Sequence, residues 1–165
     1  MPSTYTPIAT QTISGSSTTS VTFSSISSAY TDLILIASGS TSAGVDLNVR
    51  LNGDTSTNYS RTVLSGTGSA AVSARSSNLD FFRLNYDGYW TSSAVSVSIA
   101  HLMNYANTTT YKTILGRSNN ASTGVDAQVS LWRKTPEAIN SIQVYITSGN
   151  YVAGSTFTLY GVKSA

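Results

Sequence analysis

The feature that most constrains this chain is a period-two alternation of apolar and polar residues, recurring along its length without any sustained helical period. Successive side chains of a strand point to opposite faces, so alternation marks strands with one face buried. Residues 45–51 show it most clearly, with Val45, Leu47, Val49 and Leu51 on one face and Asp46, Asn48 and Arg50 on the other. Residues 125–131 repeat the pattern, Val125, Ala127, Val129 and Leu131 opposing Asp126, Gln128 and Ser130. Val95, Val97 and Ile99 form a third row, and Ile142, Val144 and Ile146 a fourth. Val21 and Phe23 begin a half-buried strand, while Phe157, Leu159 and Gly161 alternate with Thr158, Tyr160 and Val162. The run Leu33-Ile34-Leu35-Ile36 reads as a strand buried on both faces. With weaker candidates at 8–13, 61–64, 79–86 and 110–117, the total is about ten or eleven strands. Single helical turns are expected only at 24–30 and 135–140.

Turn chemistry fills the joints, at 39–44, 52–54, 87–88, 118–124 and 148–155. Strands at this spacing with such punctuation predict an all-β, antiparallel sandwich or barrel with essentially no helix. The 165 residues suit one domain able to bury about 70% of its unfolded surface. Residues 8–165 are assigned to that domain and 1–12 to an extended N-terminal arm or a first strand. Residues 1–12 carry no charge and two prolines, so Tyr5, Pro7 and Ile8 are the candidates for a docking arm. Residues 65–78 (SGTGSAAVSARSSN) break the rhythm and read as a surface loop.

Composition narrows the chemistry. Ser and Thr make 53 of the 165 residues, only 10% are charged, and cysteine is absent. The net charge of +2 and the sixteen aromatic residues argue against a disordered chain. Without cysteine there is neither a disulfide nor a thiolate metal site. Nine Lys and Arg are scattered singly apart from Arg133-Lys134, which is not the clustered surface that tracks phosphates, so no nucleic-acid partner is expected. No apolar run approaches the roughly 20 residues of a membrane span, and the N-terminus lacks the features of a signal peptide, so a protein made in the cytoplasm is expected.

The search for catalysis yields no candidate residue. His101 is the single histidine, which cannot build a histidine-rich metal site, and it reads as a strand residue with a local hydrogen bond. The GxSxG elbow and the P-loop are missing, and Asp46-x-Asn48 lacks the rest of a calcium loop. Of the carboxylates, Asp80, preceded and followed by strand-like apolar residues, is the one singled out. Abundant Ser and Thr make chance glycosylation sequons expected, so those at Asn58, Asn107 and Asn120 carry no information. No catalytic residue, cofactor or metal is assigned. The candidate contact site is Tyr86-Asp87-Gly88-Tyr89-Trp90, an Asp-Gly turn among aromatics that presents a stacking platform for a sugar or a protein partner. Its plainer reading is a hairpin whose rings pair across strands or face the core.

Several stretches resemble a group of tailed-bacteriophage virion proteins. They are STYTPIATQT (3–12), VTFSSISSAYTDLILIAS (21–38), RLNGDTSTNYSRT (50–62), NYANTTTYKTILGR (104–117) and the ending INSI (139–142) with GNYVAGSTFTLYGVK (149–163). The resemblance implies a jelly-roll-like β-sandwich on a phage particle, without catalytic residues. It implies either a capsid decoration (cement) subunit clamping capsid neighbours, as a homo-oligomer with a trimer favoured, or a tail-fibre or baseplate module. The second would touch the host surface, including its glycans, through Tyr86, Tyr89 and Trp90. A carbohydrate-binding or hydrolytic sandwich unrelated to virions is the third expectation.

Overall fold

The computed structural model describes residues 4–163. Of the proposed arm, Met1 to Ser3 lie outside the described residues. Twelve strands and no helix are present among those described. In chain order they are β1 (Tyr5–Thr12), β2 (Ser20–Phe23), β3 (Asp32–Gly39), β4 (Asn48–Leu51), β5 (Tyr59–Gly66), β6 (Ala71–Leu79), β7 (Phe82–Arg83), β8 (Ser96–Leu102), β9 (Lys112–Asn120), β10 (Gly124–Trp132), β11 (Ile142–Tyr145) and β12 (Thr156–Val162). They form an eight-stranded sheet, ordered β1-β12-β3-β8-β9-β10-β5-β6, and a four-stranded sheet, ordered β2-β11-β4-β7. Every pairing is antiparallel. The fold is a jelly-roll-like antiparallel β-sandwich.

The core lies where the small sheet covers β12, β3 and β8. Leu33, Leu35, Ala37, Ala100, Leu102, Phe157 and Leu159 point inward from the large sheet, against Val21, Phe23, Val49, Leu51, Ile142 and Val144 of the small one. Each large aliphatic side chain buried this way contributes about 1.5–3 kcal/mol. An aromatic group closes one end, with Trp90 and Tyr151 at 5.9 and 4.9 Å from the Phe157 ring. Gly161 leaves room for Tyr30, because a Cβ there would lie 2.3 Å from the Tyr30 ring.

Of the two readings for residues 1–12, Tyr5–Thr12 take that of a first strand, paired along β12 and integral to the sandwich. Other expectations need correction. Residues 65–78 form a hairpin instead of a loop: β5 turns at Gly68 (φ 86°) into β6, and Ala71–Ser76 pair with Arg61–Gly66. Small residues at a sheet edge have no buried face, so no alternation betrayed the strand. The expected helical turns at 24–30 and 135–140 are irregular segments. The second is held by Asn52, whose side chain donates to the Ala138 carbonyl at 2.8 Å and accepts from the Asn140 and Ser141 amides at 2.9 and 3.1 Å. Finally, Ile34 and Ile36 in β3 are only half-buried, since just one face of that strand looks into the core.

Candidate functional site

Residue burial in β8 and β10 reverses the orientation expected from their alternation, and β9 and β5 also turn polar residues inward. In β10, Asp126, Gln128 and Ser130 are at most 5% exposed, whereas Val125 and Val129 are 57% and 48% exposed. In β9, Ser118 and Asn120 are buried while Leu115 is 49% exposed. In β5, Arg61 and Ser65 face inward alongside Tyr59 and Val63, and Leu64 faces out. In β8, Ser96 and Ser98 are buried and Val97 and Ile99 are half-exposed, so that row is turned outward too.

The cause is what covers this end of the sandwich. Between β7 and β8 the chain forms no long strand, and residues 84–91 lie over the inner face as an irregular lid. Its backbone groups lack a full sheet ladder, and buried amides and carbonyls need partners. The inward polar side chains supply them. Asp126 Oδ2 accepts the Tyr86 and Gly88 amides at 2.9 and 3.0 Å and the Ser118 hydroxyl at 2.7 Å. Gln128 Nε2 donates to the Arg83 carbonyl at 2.6 Å, and Asn120 Nδ2 to the Tyr89 carbonyl at 2.8 Å. Within the lid, Asn85 Oδ1 accepts the Leu47 amide at 2.8 Å. Charges gather nearby: the half-buried Arg83 meets Asp46 at 2.7 Å, and the guanidinium of the buried Arg61 lies 5.0 Å from the Tyr86 ring centre. Burial pushes the Asp46 carboxyl above its ordinary range, against the opposing pull of Arg83 and then Arg61.

This arrangement relocates the candidate contact residues. Trp90 is wholly buried and its indole N–H donates to Ser98 Oγ at 3.2 Å, so it is core and no surface platform. Tyr86 is half-buried under Arg61, and the Asp87 carboxylate accepts the Ser65 hydroxyl. Tyr89 alone of the four stays exposed, at 38%. Gly88 packs so closely that a Cβ would lie 2.6 Å from Ser118 Oγ, so the missing side chain lets the lid settle onto β9 and β10. Among the arm candidates, Pro7 is exposed, Ile8 packs on the core and Tyr5 lies beside the outer face of the large sheet.

That outer face is what the alternation could not orient. Strand registers place Ile36, Ile99, Arg117, Ala127 and Leu64 in one row across β3, β8, β9, β10 and β5. The next row holds Tyr160, Ile34, His101, Leu115 and Val129. Tyr5, Ile34, Ile36, Ile99, Leu115 and Ala127 help line a shallow depression there. Apolar patches of this extent on a protein surface mark contact sites. Arg117 stands within the patch and makes no ion pair among the described residues, whereas Asp32 at the rim accepts from the Asn104 amide at 2.7 Å and lies 2.9 Å from His101 Nε2.

The His101–Asp32 pair has the form of two members of a catalytic triad, but the cross-strand neighbours of His101 are Ile34 and Leu115, neither a nucleophile. Asp80 bonds Arg50 at 2.6 Å and so sits in an ion pair, without a second carboxylate partner for acid–base work. Among the described residues no cluster of three or more His, Cys, Asp or Glu is placed to hold a metal ion.

The fold and its faces define a two-sheet β-sandwich with one apolar outer face. No protein-family model matches the chain, and no curated protein matches it either. A solved structure it is similar to is a tetrameric galectin from the ball sponge Cinachyrella sp., with 11% sequence identity and a TM-score of 0.41 over 87% of this chain and 99% of that one.

Proposed function

We propose that the protein is a non-enzymatic structural subunit of a tailed-bacteriophage particle, a capsid decoration protein that binds its neighbours through the outer face of the large sheet. The observation that carries the contact reading is the set of outward side chains Leu64, Leu115, Val125 and Val129, 48–62% exposed on strands that turn Ser118, Asp126 and Gln128 inward. A partner that covers it must be apolar, with a carboxylate opposite Arg117. The placement on a phage rests on the sequence resemblance. A low-charge surface rich in hydroxyl and amide groups suits it, because neutral hydrogen bonds across wet contacts depend little on salt. The host-contact alternative loses its aromatic platform, since Trp90 is in the core.

Cryo-electron microscopy of the particle tests the proposal. Copies arranged with icosahedral symmetry on the head support decoration, and Leu115→Asp is then expected to abolish attachment. Copies confined to the tail tip replace it with the tail-module reading, and absence from the particle removes both. Glycan binding that survives Leu115→Asp favours the carbohydrate-binding alternative.

A further inference from the structure

Sheet edges offer unpaired backbone groups to other chains, and folded proteins normally blunt them. Three of the four edges here are guarded. β1 carries Pro7, which has no N–H to offer, and a register shift between Pro7 and Ala9. Gln11 Nε2 of β1 also reaches across to the Thr22 carbonyl of β2 at 2.7 Å. β2 is four residues long and β7 only two. β6 differs from all of these. It is nine residues long and has no proline, its register shift lies at the far end between Ser76 and Leu79 so that Ala71–Ser76 run regularly along β5, and its residues make no backbone hydrogen bonds among the described residues beyond those to β5. Apart from Arg75 and Leu79, its side chains are small or of medium size (Ala, Val, Ser, Asn).

We infer that β6 pairs antiparallel with β6 of a second copy of this chain, joining two large sheets into one of sixteen strands. Geometry selects the partner. Head-to-tail addition of β6 onto another copy's β1 would build an open filament, but β1 is blocked by Pro7 and the bulge. β6 on β6 closes after two copies. A two-fold axis normal to the sheet sets one residue opposite itself. Asn78 has a left-handed backbone (φ 58°), which ends the extended stretch and leaves residues 71–77 to pair. Their midpoint is Ala74. That register sets each Arg75 opposite a Ser73 and avoids the like-charge contact of an axis through Arg75. About six to eight new backbone hydrogen bonds form. The association is two-fold, where the resemblance led us to expect three-fold, and it holds wherever the protein works, independent of the phage proposal.

The chain has no cysteine, so one introduced thiol reports the register alone. Opposed Cα atoms in an antiparallel pair lie about 4.5–5.5 Å apart, within disulfide reach. Sedimentation equilibrium of the full chain is expected to give twice the 17.3 kDa chain mass. On mild oxidation Ala74→Cys should form covalent dimer at least about tenfold faster than Arg75→Cys or Thr10→Cys, whose thiols the pairing keeps apart. Sedimentation and circular dichroism of the reduced variants confirm that each is folded. A monomer at 100-micromolar order, a three-fold assembly, or crosslinking as fast at Thr10→Cys as at Ala74→Cys would overturn the inference.

Discussion

The two halves of the large sheet share one alternation and use it in opposite senses. Around β12 and β3, apolar residues point inward to meet the regular strands β2, β11 and β4, whose backbone groups are already paired. Around β9, β10 and β5, Ser118, Asn120, Asp126, Gln128, Arg61 and Ser65 share the inner face with Tyr59, Val63, Ile114 and Trp132, and meet the lid at 84–91, whose backbone groups are only partly paired with other backbone. An inner face is therefore apolar or polar according to the hydrogen-bonding needs of its cover. The outer face takes whatever remains. At the β9–β10 end that remainder is Leu64, Leu115 and Val129, and the same swap that secures the lid creates the contact surface.

Mutations separate the halves most sharply at their inward positions. Leu35→Ala, in the conventional half, is expected to cost about 3 kcal/mol through lost burial and a cavity, read as a lower urea midpoint. Asp126→Ala, in the inverted half, should cost about 2 kcal/mol by leaving the Tyr86 and Gly88 amides and the Ser118 hydroxyl without their acceptor. Amide exchange at residues 86–88 should then accelerate before the rest of the sheet. If that exchange is unchanged, the polar inner face does not hold the lid.

Acid provides a milder test of the same half. Asp54 Oδ2 accepts the Trp132 indole N–H at 2.7 Å, at the end of β10, and Asn58 Nδ2 donates to it at 2.9 Å. Burial alone would raise this carboxyl, but these bonds and the one from Ser56 outweigh it and hold it below the ordinary 3.8. A depressed carboxyl contributes stability that is present above the unfolded value and lost as pH falls through the folded one. Stability should therefore drop below about pH 4, and Asp54→Asn should flatten that drop while lowering stability at neutral pH. An unchanged acid profile in Asp54→Asn would remove Asp54 from the account.

Val129→Ser is the smallest expected effect, within about 0.5 kcal/mol. A reading of the alternation alone places Val129 in the core and expects a severe loss, so thermal unfolding of this one variant decides between the two orientations. The same substitution should weaken attachment to the partner while leaving the fold intact.

Much of the architecture was legible beforehand. The strands at 125–131, 142–146 and 157–162, the turn at Asn52-Gly53 and the absence of long helix follow from period and turn chemistry, which are local. β6 was not legible, because Ser and Ala at an edge leave no trace of which face is buried. The candidate site was half legible. Tyr86, Asp87, Tyr89 and Trp90 do form a compact turn, but Trp90 turns inward because Ser98 and the Phe157 ring accommodate it, and β8 and β12 meet it only in the folded chain.

The low-charge alternating sequence determined by itself that this protein would be built of strands, and where most of them begin and end. Which face of each strand became the interior was decided by the tertiary structure. Alternation is symmetric under exchange of the two faces, so it carries no sign. The sign comes from the cover: a paired sheet accepts hydrocarbon, whereas an irregular lid demands hydrogen bonds, and where Asp126, Gln128 and Asn120 meet that demand Val125, Val129 and Leu115 are left facing outward.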